Sequence, residues 1–341
     1  MHIEYLPAGG DSTRWDQYVG ARARAITDVW AWREVASDAY RIPAHYMVAV
    51  DSGQIVGALS LFEINHPLFG HYLSSAAFGN DGGLFYDNDL ARDALTDEAR
   101  SLASHLNVNY LLIRTRDKEL ANFIVDRSYR SFVLELQDSA ESALRRLPVK
   151  TRNQVRRGMK ENFTISEGHE QVEPFFRVLH QHMRDLGSPC HNLAFYRSII
   201  RHLGDCATFL VVRDREELVG GALLFSVNGS AMNYHTVALR AFNKRCPNYL
   251  LYWRMLEISY ARGLHTFDMG RSLAESSHQK FKLNWGTREV GLFYNYFLVK
   301  STAPPSLDPR SPKFRLAVGC WKKLPLFVTQ TLGPRLISGI A

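Results

Sequence analysis

Thr208-Phe-Leu-Val-Val-Arg213, the polar turn Asp214 to Glu217, and Leu218-Val-Gly-Gly-Ala-Leu-Leu-Phe-Ser226 decide the fold class. The two apolar runs are short, rich in β-branched and aromatic residues, and bounded by turn chemistry, so they read as a β-hairpin. Asn228-Gly229 follows, a dipeptide that supplies the positive-φ positions of a tight turn. Ser230-Ala-Met-Asn-Tyr-His-Thr-Val237 then reads as a third strand. Pro247 opens a helix that runs to about Arg262 and stops at Gly263, because Pro suits the first helical position and Gly the one past the last. His265-Thr-Phe-Asp-Met269 closes the series as a strand.

The same order occurs earlier. Tyr46-Met-Val-Ala-Val50, the turn Asp51-Ser-Gly53 and Gln54-Ile-Val-Gly-Ala-Leu-Ser-Leu-Phe62 form a hairpin, and a β segment covers His71 to Ala77. A loop with Gly79, Gly82 and Gly83 leads to a helix from Leu90 to Leu106 and a strand Tyr110-Leu-Leu-Ile-Arg114. Each hairpin carries Val-Gly in its second strand (Val56-Gly57, Val219-Gly220). What repeats is the order of elements, not the residues. Strands alternating with helices argue an α/β (α+β) chain. The expected organisation is two tandem domains, 1–136 and 137–300, each a mixed central sheet flanked by helices. A joining helix from Gln137 to Asn162 starts or restarts at Pro148. Residues 301–341 form a Pro-rich linker and a basic amphipathic tail.

The chain has 341 residues, 46% of them hydrophobic and 22% charged, enough for a core in each half. A net charge of +7 favours anionic partners such as phosphates, RNA or an acidic membrane face, without choosing among them. Cys190, Cys206, Cys246 and Cys320 form no C-x-x-C pair and read as reduced, structural thiols. Met-His-Ile-Glu-Tyr-Leu-Pro at the start carries no secretory pattern. No window approaches about 18 uninterrupted apolar residues. The expectation is a cytoplasmic protein, peripheral at most to the inner membrane.

Three stretches carry a resemblance to a known family. Leu147-Pro-Val-Lys-Thr-Arg-Asn-Gln-Val-Arg-Arg-Gly-Met-Lys160 is similar to the basic helix that opens the second domain of FemAB-like aminoacyltransferases. Met183-Arg-Asp-Leu-Gly-Ser-Pro189 is the second stretch, and Phe267-Asp-Met-Gly-Arg-Ser272 followed by Lys280-Phe-Lys-Leu-Asn-Trp-Gly286 is the third. The last two, with Trp321-Lys-Lys-Leu-Pro-Leu, resemble the subgroup that accompanies exosortase and exopolysaccharide systems. The resemblance implies tandem GNAT-like domains and transfer of an acyl or aminoacyl group to an amine. Better-known relatives move amino acids from aminoacyl-tRNA to a lipid-linked peptidoglycan precursor. This chain lacks the long coiled-coil arm of some members.

The residues supply a chemical frame of their own. With no G-x-x-x-x-G-K-[ST] and no G-x-G-x-x-G after a strand, neither ATP activation nor hydride transfer is expected. The donor must therefore arrive activated, as aminoacyl-tRNA or acyl-CoA, with no permanently bound cofactor and no metal. Lys280 and Lys282, read as sharing one face of an extended segment around Phe281, suit a diphosphate or a tetrahedral oxyanion. Trp285-Gly286 lets backbone approach a ligand while the indole packs. Asp268 and Arg271 bracket Gly270 at a strand end, where α/β folds place ligands. There Asp268 orients an amine or takes its proton, or it caps a turn and pairs with Arg271. Ser272 completes that stretch. His235, beside Tyr234 in mid-strand, is a general base facing a cleft or a packing residue. Asn248 sits at a helix start, where N–H groups favour phosphate, but its loop lacks the glycines of a standard coenzyme A site. Lys150, Arg152 and Arg156 are a phosphate grip for a lipid diphosphate or tRNA, or a solvated face. Arg184-Asp185 is an ion pair or a substrate contact.

The catalytic candidates are thus Lys282, Asp268 and His235. The leading expectation is amide formation on a cell-envelope or exopolysaccharide precursor by direct transfer. The alternatives are an acyl-CoA-dependent small-molecule N-acyltransferase, or a non-catalytic binder of anionic lipid or RNA. The tail from Arg310, basic and interleaved with Phe314, Leu316, Trp321 and Phe327, either docks on an anionic membrane face or packs back on the second domain.

Overall fold

A computed structural model describes residues 1–7, 9–116, 118–305 and 312–340. The chain divides into two compact units. The first takes Met1–Arg130, the segment that begins at Val290 and the residues from Ser338 onward. The second takes Ser131–Glu289 and the helical segment ending at Ile337.

In chain order the first unit builds β1 (His2–Leu6), α1 (Thr13–Val19), α2 (Trp32–Tyr40), β2 (Ala44–Asp51), β3 (Gln54–His66), β4 (Gly70–Ser74) and β5 (Leu84–Tyr86). Then come α3 (Asp89–His105), β6 (Tyr110–Arg116) and β7 (Ile124–Glu135), which passes into the second unit at Ser131. The second unit continues with α4 (Ala140–Arg146), α5 (Val149–Lys160), β8 (Phe163–Glu167), α6 (Val172–Leu186), α7 (Leu193–Leu203), β9 (Ala207–Asp214), β10 (Glu217–Val227) and β11 (Ser230–Ala238). Its later elements are α8 (Pro247–Ala261), β12 (Thr266–Leu273) and α9 (Ser277–Leu283). Strand β13 (Arg288–Leu298) returns to the first unit from Val290, and α10 (Pro312–Trp321) and α11 (Leu326–Ile337) follow.

Within each unit the strands of the sheet share a plan. The first runs β1-β2-β3-β4-β6-β13, with β5 also on β3. The second runs β12-β11-β10-β9-β8. Neighbours are antiparallel except for one parallel pair in each, β4 with β6 and β11 with β12. Turn chemistry sets the register. Asp51 pairs with Gln54 around Ser52-Gly53, and Val227 with Ser230 around Asn228-Gly229. All four turn residues have positive φ, the twist that a two-residue hairpin requires.

One long helix covers a face of each sheet. Ala91, Leu95, Ala99 and Ala103 of α3 pack on Met47, Leu59, Leu61 and Leu73. In the second unit Leu251, Met255 and Leu256 of α8 pack on Val212, Leu224 and Phe267. At each Val-Gly pair a side chain would collide with its neighbours. A Cβ at Gly57 would lie 2.8 Å from Leu95 Cδ1, and one at Gly220 would lie 2.6 Å from the Val237 carbonyl and 3.3 Å from Leu251 Cδ1.

The joining helix expected from Gln137 to Asn162 is two helices, α4 and α5, with Pro148 at the start of the second. Pro148 lacks an N–H and restricts Leu147 to extended backbone, which stops α4. Of the linker expected at 301–312, positions 306–311 lie outside the described residues, as does Arg310. Nothing is described of the Phe314 side chain. The tail's α11 packs on α6, with Thr329 Oγ1 3.2 Å from His180 Nε2, and Arg184 donates to the Leu324 carbonyl at 3.2 Å. No described helix is long and apolar enough to cross a membrane.

Candidate active site

Parallel pairing opens a gap in each sheet. In the second unit Ser230, Ala231 and Met232 pair with Thr266, Phe267 and Asp268. Among the described residues the ladder goes no further, although both strands continue. A bulge then re-aims β11. Leu224 pairs with Asn233 and Leu223 with His235, so Tyr234 is the extra residue. Asn233 therefore faces α8, donating to Tyr252 Oη at 2.9 Å and accepting from Thr236 Oγ1 at 2.7 Å. His235 faces α6 and α7 instead, 3.3 Å from Tyr196 Oη.

The first unit closes its matching gap with its own chain. Tyr72 to Ser74 pair with Tyr110 to Leu112, and residues 75–82 then line the β6 edge. Ser75 N donates to the Leu112 carbonyl, and Ser75 Oγ accepts from Arg114 N at 3.0 Å. Arg114 Nη1 donates to the Ala76 and Gly79 carbonyls at 2.8 Å each. Asp81 pairs with Arg116. Among the described residues this loop occupies the β6 edge, so the candidate site is sought in the second unit.

That site is built around the end of β12. Asp268, 7% exposed, accepts from Ser131 Oγ and from Gly270 N, both at 2.7 Å. Gly270 has φ +80, which turns the following backbone. Lys282, also 7% exposed, donates from Nζ to the Gly270 carbonyl at 2.8 Å and to the Arg271 carbonyl at 2.7 Å. It lies 5.5 Å from the centre of the Phe132 ring. Burial pulls the Lys282 ammonium down to about 8, and Asp268 works in the opposite direction, favouring the charge. Lys282 and Asp268 are thus electrostatic neighbours at one strand end.

Sequence reasoning put Lys280 and Lys282 on one face of an extended strand. They lie instead on helix α9, where a separation of two turns them to different sides. Lys280 is exposed, while Lys282 is buried. The overlooked signal is Ser276-Ser-His-Gln279. Ser276 caps the helix by accepting from Gln279 N at 3.2 Å, and the Gln279 side chain accepts from Glu275 N. Trp285, just past the helix, packs among Tyr249, Tyr252 and Phe281. Thr151 Oγ1 anchors the same turn on the Asn284 carbonyl at 2.6 Å. Among the described residues, three buried polar atoms here have no partner, namely Ser272 Oγ, Trp285 Nε1 and Asn248 Oδ1.

The other candidates are placed as follows. Arg271 is exposed at the strand end. His235 and Tyr234 belong to an aromatic cluster with Phe175, Tyr196 and Phe225, and desolvation holds the His235 imidazole down at about 4. Lys150 and Arg156 are exposed on α5, whereas Arg152 donates to the Arg145 carbonyl at 2.6 Å. Arg184 holds Asp185 at 2.7 Å. Helix α5 lies against the first turn of α8. Cys246 Sγ donates to Gln154 Oε1 at 2.7 Å, and a Cβ on Gly158 would sit 3.0 Å from the Cys246 carbonyl. Among the described residues no three His, Cys, Asp or Glu side chains converge as metal ligands would. Ser131, Asn233, Thr236 and Tyr252 were not singled out in the sequence. Asn233 and Tyr252 stand out only as polar side chains in otherwise apolar runs.

Residues 149–283 match the family model of the acetyltransferase (GNAT) domain. Among solved structures, FemX aligns with a TM-score of 0.67 at 14% identity, covering 88% of this chain and 98% of that one. L-PGS from Bacillus licheniformis aligns at 0.58 and 11%, covering 92% and 98%. A tandem GNAT protein from the clavulanic acid biosynthesis pathway aligns at 0.57 and 14%, covering 89% and 100%. Among curated proteins nothing matches. At these identities the structural likeness carries the tandem GNAT fold.

Proposed function

We propose, from the premise that residues 149–283 form a GNAT domain and the chain is an acyltransferase, that the end of β12 joins an acyl or aminoacyl group to an amine by direct transfer. The amine nitrogen bonds to the donor's carbonyl carbon, the C–O or C–S bond of the donor breaks with its electron pair going to oxygen or sulfur, and the proton that the nitrogen loses ends on that leaving group. Negative charge develops on the carbonyl oxygen in between. The observation that carries this reading is Lys282, a buried ammonium fixed by the Gly270 and Arg271 carbonyls beside Asp268. A fixed cation in a desolvated place stabilises developing charge better than a mobile one. Asp268, oriented by Ser131 and Gly270, is the group that positions the amine and takes its proton. His235, hydrogen-bonded within its aromatic cluster, is a packing residue.

The acceptor is an amine on a cell-envelope or exopolysaccharide precursor, met at the inner face of the membrane. This rests on the FemAB-like sequence motifs and on the FemX-like fold. For the donor, the turn Asn243-Lys-Arg-Cys-Pro-Asn248 before α8 lacks the glycines of a standard coenzyme A loop and Pro247 supplies no N–H at the helix start, which favours an aminoacyl ester over acyl-CoA.

Purified full-length chain incubated with labelled aminoacyl-tRNA, or with acyl-CoA, and with amine-bearing lipid-linked and soluble precursors tests both statements. Ribonuclease-sensitive labelling of the acceptor that Lys282→Ala abolishes supports the reading. Ribonuclease-resistant transfer from acyl-CoA would install the small-molecule N-acyltransferase in its place. Retention of full activity by Lys282→Ala would refute the site.

A further inference from the structure

The C-terminal helices leave a surface that acyl transfer does not explain. Helix α10 sits on the second unit through one side, where Val318 lies against Gly187. Its opposite face carries Leu316, 71% exposed, with Gly319 and Cys320 beside it and Arg315 at its edge. An ordinary surface helix turns polar residues outward. Helix α11 behaves alike. Thr329 and Gly333 are buried, against His180 and the Cys190 backbone, while Phe327 is 70% exposed and Arg335 lies two turns on along the same outward side. Leu326 and Leu332 add further exposed apolar area.

Charge accompanies that area. Lys313, Arg315, Lys322, Lys323 and Arg335 fall between residues 312 and 340, and no Asp or Glu does. Lys323 is exposed at the junction of the two helices, seven residues on from Leu316 and so on its side, while Lys322, also exposed, follows Val318 past Gly187. Single exposed leucines are ordinary, as Leu68 and Leu90 of the first unit illustrate. Outward leucine and phenylalanine on consecutive helices within a stretch free of acidic residues are another matter. Apolar side chains need a medium that accepts them, and the lysines and arginines need negative charge around it. An anionic bilayer supplies both at one boundary.

We propose that α10 and α11 dock the protein on an anionic lipid surface, with Leu316 and Phe327 entering the headgroup–acyl boundary and Lys323 meeting the phosphates. The packed sides, held by Val318, Thr329 and Gly333, keep the helices folded before contact. This deepens the proposed function by naming the residues that bring the enzyme to a membrane-borne acceptor, yet it stands on the helices alone.

The test is co-sedimentation of the full chain with vesicles of phosphatidylcholine and phosphatidylglycerol at three to one, against phosphatidylcholine alone. At least tenfold more protein should sediment with the anionic vesicles, and rising salt should weaken this. Leu316→Ser with Phe327→Ser should cut partitioning about tenfold at unchanged melting temperature, and Lys323→Gln about fivefold. Transfer to a soluble acceptor by these variants should equal that of the parent, so failure of docking is separable from failure of the enzymatic reading. Equal sedimentation of the serine variant and the parent would overturn the proposal, leaving charge alone as the attraction. So would absence of binding to anionic vesicles, or a concentration-dependent mass increase that the serine variant abolishes, which would assign the face to a second copy of the chain.

Discussion

Lys282 Nζ lies 2.8 Å from the Gly270 carbonyl oxygen, twelve residues before it in the chain and across a helix cap, at the end of β12. The ammonium is the form that the proposed chemistry uses, and burial lowers it to about 8. Transfer, measured as kcat/KM, should therefore fall as pH rises through about 8. Stability should move the other way. Between about 8 and the ordinary lysine value the unfolded chain keeps a proton that the folded chain has shed, so folding becomes more favourable as pH rises. Lys282→Met should remove both dependences and lower kcat/KM by roughly 100-fold or more. Activity that instead rises through pH 8 would mean that the free amine is the working form.

Asp268→Asn keeps an oxygen that can accept from Ser131 and Gly270 but loses the carboxylate charge. The fold should persist, with a melting temperature close to that of the parent. kcat should drop by roughly 100-fold with KM little changed, as expected for a group acting on the proton in the transition state. A rise in KM at constant kcat would move Asp268 from the chemistry to binding.

Asp28 and His235 make opposing claims on acid stability. Asp28, enclosed in the first unit, is pushed up to about 6 by desolvation despite its bonds from Arg24, Ala25 and Gly83 N–H groups. Its folded value exceeds the unfolded one, so it takes away stability as pH rises from about 4 to 6. His235, held down at about 4, takes away stability as pH falls from about 6.5 to 4. Each is worth about 3 kcal/mol at the far end of its window. These two contributions offset one another between pH 4 and 6, while His180, His182 and His191, also held down by desolvation, add a net loss of stability on acidification. Asp28→Asn should steepen the loss on acidification, and His235→Asn should make it shallower, both read by urea unfolding at stepped pH. Parallel curves for the three proteins would contradict the burial of these groups.

Gly220→Ala and Gly57→Ala change equivalent positions, and the costs should differ. The new methyl at position 220 meets the Val237 backbone carbonyl, which cannot yield without opening the β10–β11 ladder. At position 57 the nearest atom is the tip of Leu95, which can turn aside. Thermal unfolding should show a loss of about 1–3 kcal/mol for Gly220→Ala and a smaller one for Gly57→Ala.

Local chemistry made much of this legible. Ser52-Gly53, Asn228-Gly229, Pro247 and Gly263 each act within a few residues, so the hairpins and the α8 boundaries could be read directly. The site was legible only in composition. Lys282 and Asp268 were identifiable as candidates, but their geometry depends on Ser276 capping a helix where an extended segment was read, and on the bulge at Tyr234. One inserted residue reverses which face His235 occupies, and no single-sequence period reports such an insertion. Ser131 reaches Asp268 from 137 residues away in sequence, a relation that only tertiary structure creates.

Strand β13 gives the order of synthesis a physical meaning. Its Leu292 to Leu298 pair with Arg116 back to Tyr110, and buried Asn295 accepts from Leu120 N at 2.9 Å. While the ribosome is still making the second unit, that edge of β6 lacks its permanent partner and its buried polar groups stay unmatched. The half of the protein that emerges first is thus the half that is finished last, and the nascent first sheet must be kept from strangers until its own distant strand arrives.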